Sequence, residues 1–482
     1  MAESLKQKTV TGVMWNALQK LSSSGIAFLL TLVMARLLSP SDYGMIGLLT
    51  VFIAVASIFV DCGFSLALVR KKDCTQEDRS TVFFWNIFIS IVAYIILFFI
   101  APYVASFYDM PLLCPLLRVV SLKIVIGSFT SIQSVNFTIA LDFKTTTRIT
   151  IINSLVSGFF GIAAAVAGMG VWALVIQQIS GAIISCFQYW HASPWRPSWV
   201  FSKQSFRYLF GFGSNMLMSQ LLETVYSNIY PIVIGKVFDA SSLGHYSRAH
   251  TFASFPAQNI THVLSQVTFP VLAKIQDEDE RLQTAYRKIL RVSSFVVFPM
   301  LLGLSALAQP LIVIVIGEKW LFCAQLLQVV CFSMMWYPVH AINLNLLKVK
   351  GRSDLFFKLE VIKKFLGVVI LIVSIPFGVM GMCYFGILSS LISLGINTYY
   401  TGKLINLGFY KQMLDLLPTL ITSLLMFIVV FISVYYIQNM YIKLIIGVII
   451  GSLFYIGVTN WMHFEELKEL VTIVKGIKYK KE

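Results

Sequence analysis

Residues 82–104 read VFFWNIFISIVAYIILFFIAPYV, a run without one charged side chain. A helix needs about 20 mainly apolar residues to cross the hydrocarbon of a bilayer, whereas a barrel strand needs roughly ten alternating ones. The run is long enough for the first and does not alternate as the second requires, so it reads as a transmembrane helix. The same punctuation by turns and charges marks out thirteen more: 10–34, 42–61, 116–139, 147–168, 171–190, 207–235, 243–270, 288–315, 321–347, 355–377, 381–401, 415–436 and 441–462. Those at 10–34, 207–235 and 243–270 are the more polar ones. The expected architecture is an all-α integral membrane protein of about 14 transmembrane helices.

Composition agrees. Of the 482 residues, 57% are hydrophobic, 14% aromatic and only 12% charged. Soluble domains carry about a quarter charged residues, and disordered chains are poor in aromatics, so both classes are excluded. The net charge of +15 would suggest nucleic acid in a soluble protein, but in a membrane protein it points to basic loops facing anionic headgroups, and no nucleic-acid partner is expected. The seven cysteines form no CxxC pair and read as packing residues. The N-terminal apolar stretch is too long for a signal-peptide core and lacks an A-x-A site, so an uncleaved first helix is expected.

Orientation follows from the basic residues. With a cytoplasmic N-terminus, 29 of the 37 lysines and arginines fall in inside segments, five fall outside, and Lys20, Lys123 and Arg248 lie within spans. This is the positive-inside pattern, and it predicts that both termini are cytoplasmic. One missing helix would invert every later loop and erase the bias.

The chain also repeats itself. RLLSPSDYG (36–44) matches KVFDASSLG (236–244), and a second match, 168–190 with 379–401, pairs Gly170 with Gly381. Both copies hold six spans and enter the membrane from the same side, so they are parallel repeats. The expected organisation is an N-terminal six-helix lobe (1–190), a cytoplasmic interfacial linker (191–206), a C-terminal six-helix lobe (207–402), two further helices (403–463) and a basic cytoplasmic tail (464–482). Pro231, Pro256, Pro270, Pro299, Pro310, Pro338 and Pro376 lie in or near second-lobe spans, which predicts that the second lobe is the more bent.

Two six-helix lobes without a large soluble domain favour transport over catalysis, because parallel lobes can rock about a cleft. TVTGVMWNALQK (9–20), MARLLSPSDYGMIGLLTVF (34–52), DCGFSLALVRKKD (61–73), GMGVWALV (168–175), WRPSW (195–199), FRYLFGFG (206–213) and LGHYSRAHTFASFP (243–256) carry a resemblance. In that order and spacing they resemble the Wzx-type oligosaccharide flippases, the polysaccharide biosynthesis branch of the multidrug/oligosaccharidyl-lipid/polysaccharide (MOP) exporter superfamily. The resemblance implies a V-shaped, MATE-like fold. It also implies translocation of undecaprenyl-diphosphate-linked oligosaccharide from the cytoplasmic to the outer leaflet of the bacterial inner (plasma) membrane, for O-antigen, capsule or exopolysaccharide. The family offers no catalytic signature to carry over, so site residues rest on chemistry.

A lipid-linked diphosphate sugar needs a wet cleft bearing cations, and a cation at mid-membrane costs about 2.5–3.5 kcal/mol on insertion scales. Arg248 is such a cation, with a salt bridge to Glu223 as its competing role. Lys20 is another, and Gln220 stands opposite it at the repeat offset. Asn215, Asn228 and Gln177, with Gln178, Asn343 and Asn345, are candidates for glycan hydroxyls, though isolated amides more often join helices. Glu223 and Asp61 are candidate H⁺ or Na⁺ coupling carboxylates, Asp61 having a helix-end role as its rival. Lys123 is expected to reach the outer interface. His245, His250 and His262 lack metal-site spacing and read as helix-packing residues, so no metal is expected. Walker A, HExxH, GxSxG and GxGxxG patterns are absent in any supporting context, so neither a cofactor nor an enzymatic activity is expected. The expected partners are the lipid-linked oligosaccharide, membrane lipids, and a polysaccharide polymerase and glycosyltransferases of the same pathway. The rival readings are a cation-coupled drug or metabolite exporter on the same fold, and an integral-membrane glycosyltransferase or polymerase, which would need a larger water-exposed loop.

Overall fold

Ser39 and Asp42 form a reciprocal capping box, the hydroxyl of one and the carboxylate of the other taking each other's backbone N–H, and Pro40 occupies the first helical position. That local chemistry starts the helix Pro40–Asp61. Thr75 and Asp78 repeat it at the start of Gln76–Phe107, the helix that carries the 82–104 run. Asp142, Ser202 and Asn439 cap three more helices.

The computed structural model describes residues 24–71 and 73–469. Lys20 and most of the predicted first span, like the greater part of the C-terminal tail, lie outside the described residues. All the described regular structure is helical: α1 (Ser24–Leu37), α2 (Pro40–Asp61), α3 (Phe64–Arg70), α4 (Gln76–Phe107), α5 (Leu113–Val120), α6 (Leu122–Ser128), α7 (Ser131–Ile139), α8 (Phe143–Val166), α9 (Val171–Ala192), α10 (Lys203–Ser227), α11 (Ile229–Val237) and α12 (Ala240–Lys274). Then follow α13 (Asp279–Ala306), α14 (Ala308–Ile316), α15 (Leu321–Met334), α16 (Tyr337–Val349), α17 (Ser353–Ser374), α18 (Gly378–Ile405), α19 (Phe409–Tyr435) and α20 (Met440–Trp461). Each predicted span after the first falls on one of these helices or on a run of two or three broken pieces. Among the described residues nine stretches are long and apolar enough to cross a membrane, or ten with the bent pair Leu113–Ser128 and Ser131–Ile139; one of them, Ser353–Ile405, is 53 residues long. The chain is a multi-pass α-helical membrane protein.

Two compact units divide in sequence between Gly244 and His245. In the first, segment 193–202 runs extended along the start of α4: Trp195 Nε1 donates to Gln76 Oε1 at 2.6 Å, and the Ser198 and Ser202 amides donate to Ser80 and Thr81 at 3.0 Å. Phe64, Phe83, Trp195 and Leu209 pack beneath it as one core. Trp199 is 92% exposed, its ring stacked on Phe84 of α4 with centroids 5.2 Å apart.

The repeat is visible in the turns themselves. Asp239 takes the Ser242 amide at 2.6 Å at the start of α12, the part Ser39 plays 200 residues earlier. The second match is shifted. Gly170 starts α9 with φ 54°, but the glycine that starts α18 with φ 72° is Gly378, and Gly381 lies one turn inside that helix.

Three of the later prolines mark breaks, whereas Pro256, Pro299 and Pro418 lie inside continuous helices. The interruptions at Asn228, Leu307 and Met335–Trp336 each place Pro231, Pro310 or Pro338 in the first turn of the following helix, where a missing N–H costs nothing. Yet the 44° bend lies in the first unit, between α6 and α7, with no proline at the joint. There the hydroxyls of Ser128, Thr130 and Ser131 donate back to the carbonyls of Val125, Gly127 and Ser128 at 2.7–2.9 Å, competing with the helical ladder. Bending is therefore not a property of the second half alone.

The second unit is tied at one end by charge. Arg287 grips Asp415 with Nε at 2.7 Å and Nη2 at 2.5 Å, and Arg291 Nη2 adds a third bond at 2.9 Å, joining α13 to α19. The Asp415 side chain is 4% exposed. Removing its charge leaves two guanidiniums facing each other. Asp415→Asn is expected to cost about 2 kcal/mol, less than a fully buried pair because both arginines still reach solvent. A thermal melt in detergent checks this; an unchanged midpoint would show the cluster to be ornamental.

Candidate functional site

The first unit holds a partly open cavity of about 570 Å³ among α2, α4, α6, α7, α8 and α9. Its wall is polar for a membrane interior: Ser57 and Asp61 from α2, Asn86 from α4, Lys123 from α6, Asn153 from α8, and Gln177 and Gln178 from α9 are all part of it. Small residues make the room and set the spacing. A Cβ on Gly161 would meet the Gln177 side chain at 2.8 Å, and one on Gly181 would meet Ser157 at 3.3 Å, so α8 and α9 approach closely only because these positions are glycine.

Lys123 stands ten residues into the bent span that starts at Leu113, about 15 Å along at 1.5 Å per residue, which is about half the hydrocarbon thickness. Its Nζ donates to Gln178 Oε1 at 3.2 Å. Among the described residues no carboxylate lies within ion-pair distance of it, although Asp61 lines the same cavity. The expectation that Lys123 reaches the outer interface is corrected: the bend at Ser128–Ser131 and the amide of Gln178 direct the ammonium into the cavity.

Asp61 ends α2, where Cys62 and Gly63 adopt left-handed conformations before α3. Its Oδ1 accepts from the Ser65 hydroxyl and from the Ser65 amide at 3.4 Å. It both fixes the α2–α3 junction and faces the cavity. Asn86 Nδ2 donates to Ser131 Oγ at 3.1 Å, while the Oδ1 atoms of Asn86 and Asn153 are buried without a hydrogen-bond partner among the described residues. Buried acceptors without a partner are rare in folded proteins.

The remaining predicted residues lie elsewhere. Asn228 sits at the α10–α11 break and donates to the Thr224 carbonyl at 2.8 Å. Glu223 is an exposed residue of α10, and Arg248 is a half-buried residue of α12 on the other side of the division between the units. The side chain of Asn215 and all of Lys20 lie outside what the structure describes. Asn343 joins a buried network with Gln412 at 3.0 Å and Thr401 at 2.7 Å, so it holds helices together, and Asn345 donates to Ser265 Oγ at 3.1 Å. His245 packs edge-on against Trp320 and Phe322 with ring centroids 5.5 Å apart. The sequence reading thus named Asp61 and Gln177 and weighed Gln178 and Lys123. It missed Asn86 and Asn153, each a lone amide in an apolar helix.

Comparison with known proteins fits this fold. Over 369 residues the chain is 26% identical to the lipopolysaccharide biosynthesis protein WzxC of Escherichia coli K12, covering 75% of this chain and 74% of that one. The structure superposes on the lipid II flippase MurJ in an inward closed conformation with a TM-score of 0.76 at 16% identity, covering 94% of this chain and 99% of MurJ. An inward-facing multidrug resistance MATE family transporter of the MOP superfamily follows at 0.60 and 12% identity, covering 81% of this chain and 99% of that one. These structures share the fold. The family described as polysaccharide biosynthesis protein matches residues 33–325, more than half the sequence, and the chain belongs to that family.

Proposed function

We propose that the protein is a flippase, not an enzyme, that moves undecaprenyl-diphosphate-linked oligosaccharide from the cytoplasmic to the outer leaflet of the bacterial inner membrane. The polymer served is an O-antigen, capsule or exopolysaccharide. The observation that carries this reading is Lys123: a mid-membrane ammonium held by one amide, in a cavity lined with hydroxyl and amide groups. A cation kept in hydrocarbon without a carboxylate beside it is an anion site, and the surrounding acceptors suit sugar hydroxyls. The polyprenyl tail stays in lipid while the head crosses.

Transport by alternating access, which two parallel six-helix lobes (1–190 and 207–402) allow, agrees with the parallel repeat. In this reading both termini are cytoplasmic, Arg248, Lys20, Asn215 and Asn228 supply further contacts to the head, and Asp61 and Glu223 couple transport to H⁺ or Na⁺. A polymerase and glycosyltransferases act before and after it. The test is reconstitution in vesicles with a fluorescent undecaprenyl-diphosphate sugar on one leaflet. Chemical quenching of the opposite leaflet should report its arrival within minutes in the presence of the protein and not without it. A protein that inserts yet moves no such lipid under either an H⁺ or a Na⁺ gradient would refute the proposal.

A further inference from the structure

On the side of α2 and α4 facing away from the polar cavity lies a second space of about 850 Å³, lined almost wholly by apolar side chains, with Val55, Phe59, Val92, Ile96 and Tyr103 in its wall and Ile232 of α11 closing one edge. It is open sideways, since Phe59, Ile96 and Tyr103 are 44%, 50% and 77% exposed. Its lining runs along α4 from Ile89 to Phe107, about 27 Å at 1.5 Å per residue, and along α2 from Val51 to Phe59, about 12 Å. The length along α4 is nearly the full hydrocarbon thickness of about 30 Å, and roughly twice what one phospholipid chain spans in its own leaflet.

The groove has a charged mouth. Beyond its Tyr108 end, Lys236 Nζ donates to the Phe107 carbonyl, lies 4.8 Å from the Phe107 ring centroid and is 3.3 Å from Asp109. Asp109 is 83% exposed, so this ion pair is a weak one that a phosphate can displace. A trough longer than one leaflet, ending at an exposed ammonium, fits a lipid with one long chain and an anionic head. Building on the function proposed above, we infer that the α2–α4 groove is a binding site for the polyprenyl chain of the carrier lipid, with its phosphate at Lys236 in the outer leaflet. Ordinary phospholipid fills half such a groove and leaves the Phe59 end to a second chain.

The full chain in lipid nanodiscs, with photoreactive C55 polyprenyl phosphate and a C15 analogue as probes, tests this. The C55 probe should label wild-type protein within 51–59 and 89–108. Ala93→Trp, which plugs the trough near its Ile89 end, should cut retention of the C55 probe at least tenfold and leave the C15 probe unchanged, whereas Lys236→Gln should weaken both several-fold. Labelling of wild type elsewhere, or equal loss of both chain lengths with Ala93→Trp, overturns the inference, as does full displacement of the C55 probe by phosphatidylglycerol. Because the wild-type labelling needs no variant, a misfolded Ala93→Trp protein still leaves it decisive. If wild-type vesicles flip the sugar lipid and the label lies elsewhere, the groove fails alone; if they flip nothing, the functional reading fails first.

Discussion

Lys123→Met is expected to leave the protein inserted and folded, with a melting temperature equal to or above that of wild type, while transport falls about 10- to 150-fold. The two halves of that result have separate causes. Replacing a mid-membrane ammonium by a thioether of similar length relieves a burial cost of about 2.5–3.5 kcal/mol and loses only the Gln178 hydrogen bond. A hydrogen bond from a charged group to a diphosphate oxygen is worth about 1.5–3 kcal/mol, and each 1.4 kcal/mol is a factor of ten. A merely structural lysine would show the reverse, a lower melt and intact transport in the molecules that fold. Lys123→Arg should restore part of the activity, since a guanidinium also binds phosphate. Gln178→Leu separates positioning from contact: it frees the ammonium without removing it and should cost less than Lys123→Met. Arg248→Ala, measured alongside, shows whether the cation the sequence favoured matters as much as the one the fold places in the cavity. Full transport by Lys123→Met would sink the assignment.

The helices were legible because their signal is local. Residues 82–104 are apolar for long enough to define a span without help from any other part of the chain, and the caps at Ser39 and Thr75 stand in sequence where the chemistry requires them. Even the weak spans were legible as weak: the predicted 207–235 is two helices parted at Asn228, and neither it nor the helix over 243–270 is among the stretches apolar enough to cross. Breaks inside apolar runs were not legible. The predicted span 116–139 is three helical pieces, and its bend depends on which carbonyls three hydroxyls choose. The cavity was legible only in parts, since its members come from helices up to 55 residues apart in the Lys123–Gln178 pair alone. Reading from charge alone favours the cations that look deepest along a single span. Which way Lys123 turns is decided by a bend and by a partner on another helix, and neither has a signature in the sequence around it.

The repeat-related turns carry the second large effect. Gly44 and Gly244 occupy equivalent places, and each faces the backbone of the other's turn. A Cβ on Gly44 would lie 1.7 Å from the Ala240 carbonyl oxygen, and one on Gly244 would lie 1.8 Å from that of Pro40. Normal carbon–oxygen contact is about 3.5 Å, so the two helix starts would have to part by roughly 1.5 Å or more. A side chain could rotate away from such a contact. A carbonyl committed to the first turn of a helix cannot. Either Gly44→Ala or Gly244→Ala is therefore expected to destabilise the protein by about 3 kcal/mol, the upper end of ordinary overpacking. The double variant should cost clearly less than the two singles added together, because once the turns have separated the second methyl enters space already opened. Gly386→Ala is the control: a Cβ there meets nothing within 4 Å, and a helical Gly→Ala change without a clash is expected to stabilise by about 0.5–1 kcal/mol. Thermal unfolding in detergent of the four variants against wild type gives the measurement. Single variants that melt with wild type would mean that the two turns do not meet in the folded protein, and strict additivity in the double would mean that they meet something other than each other.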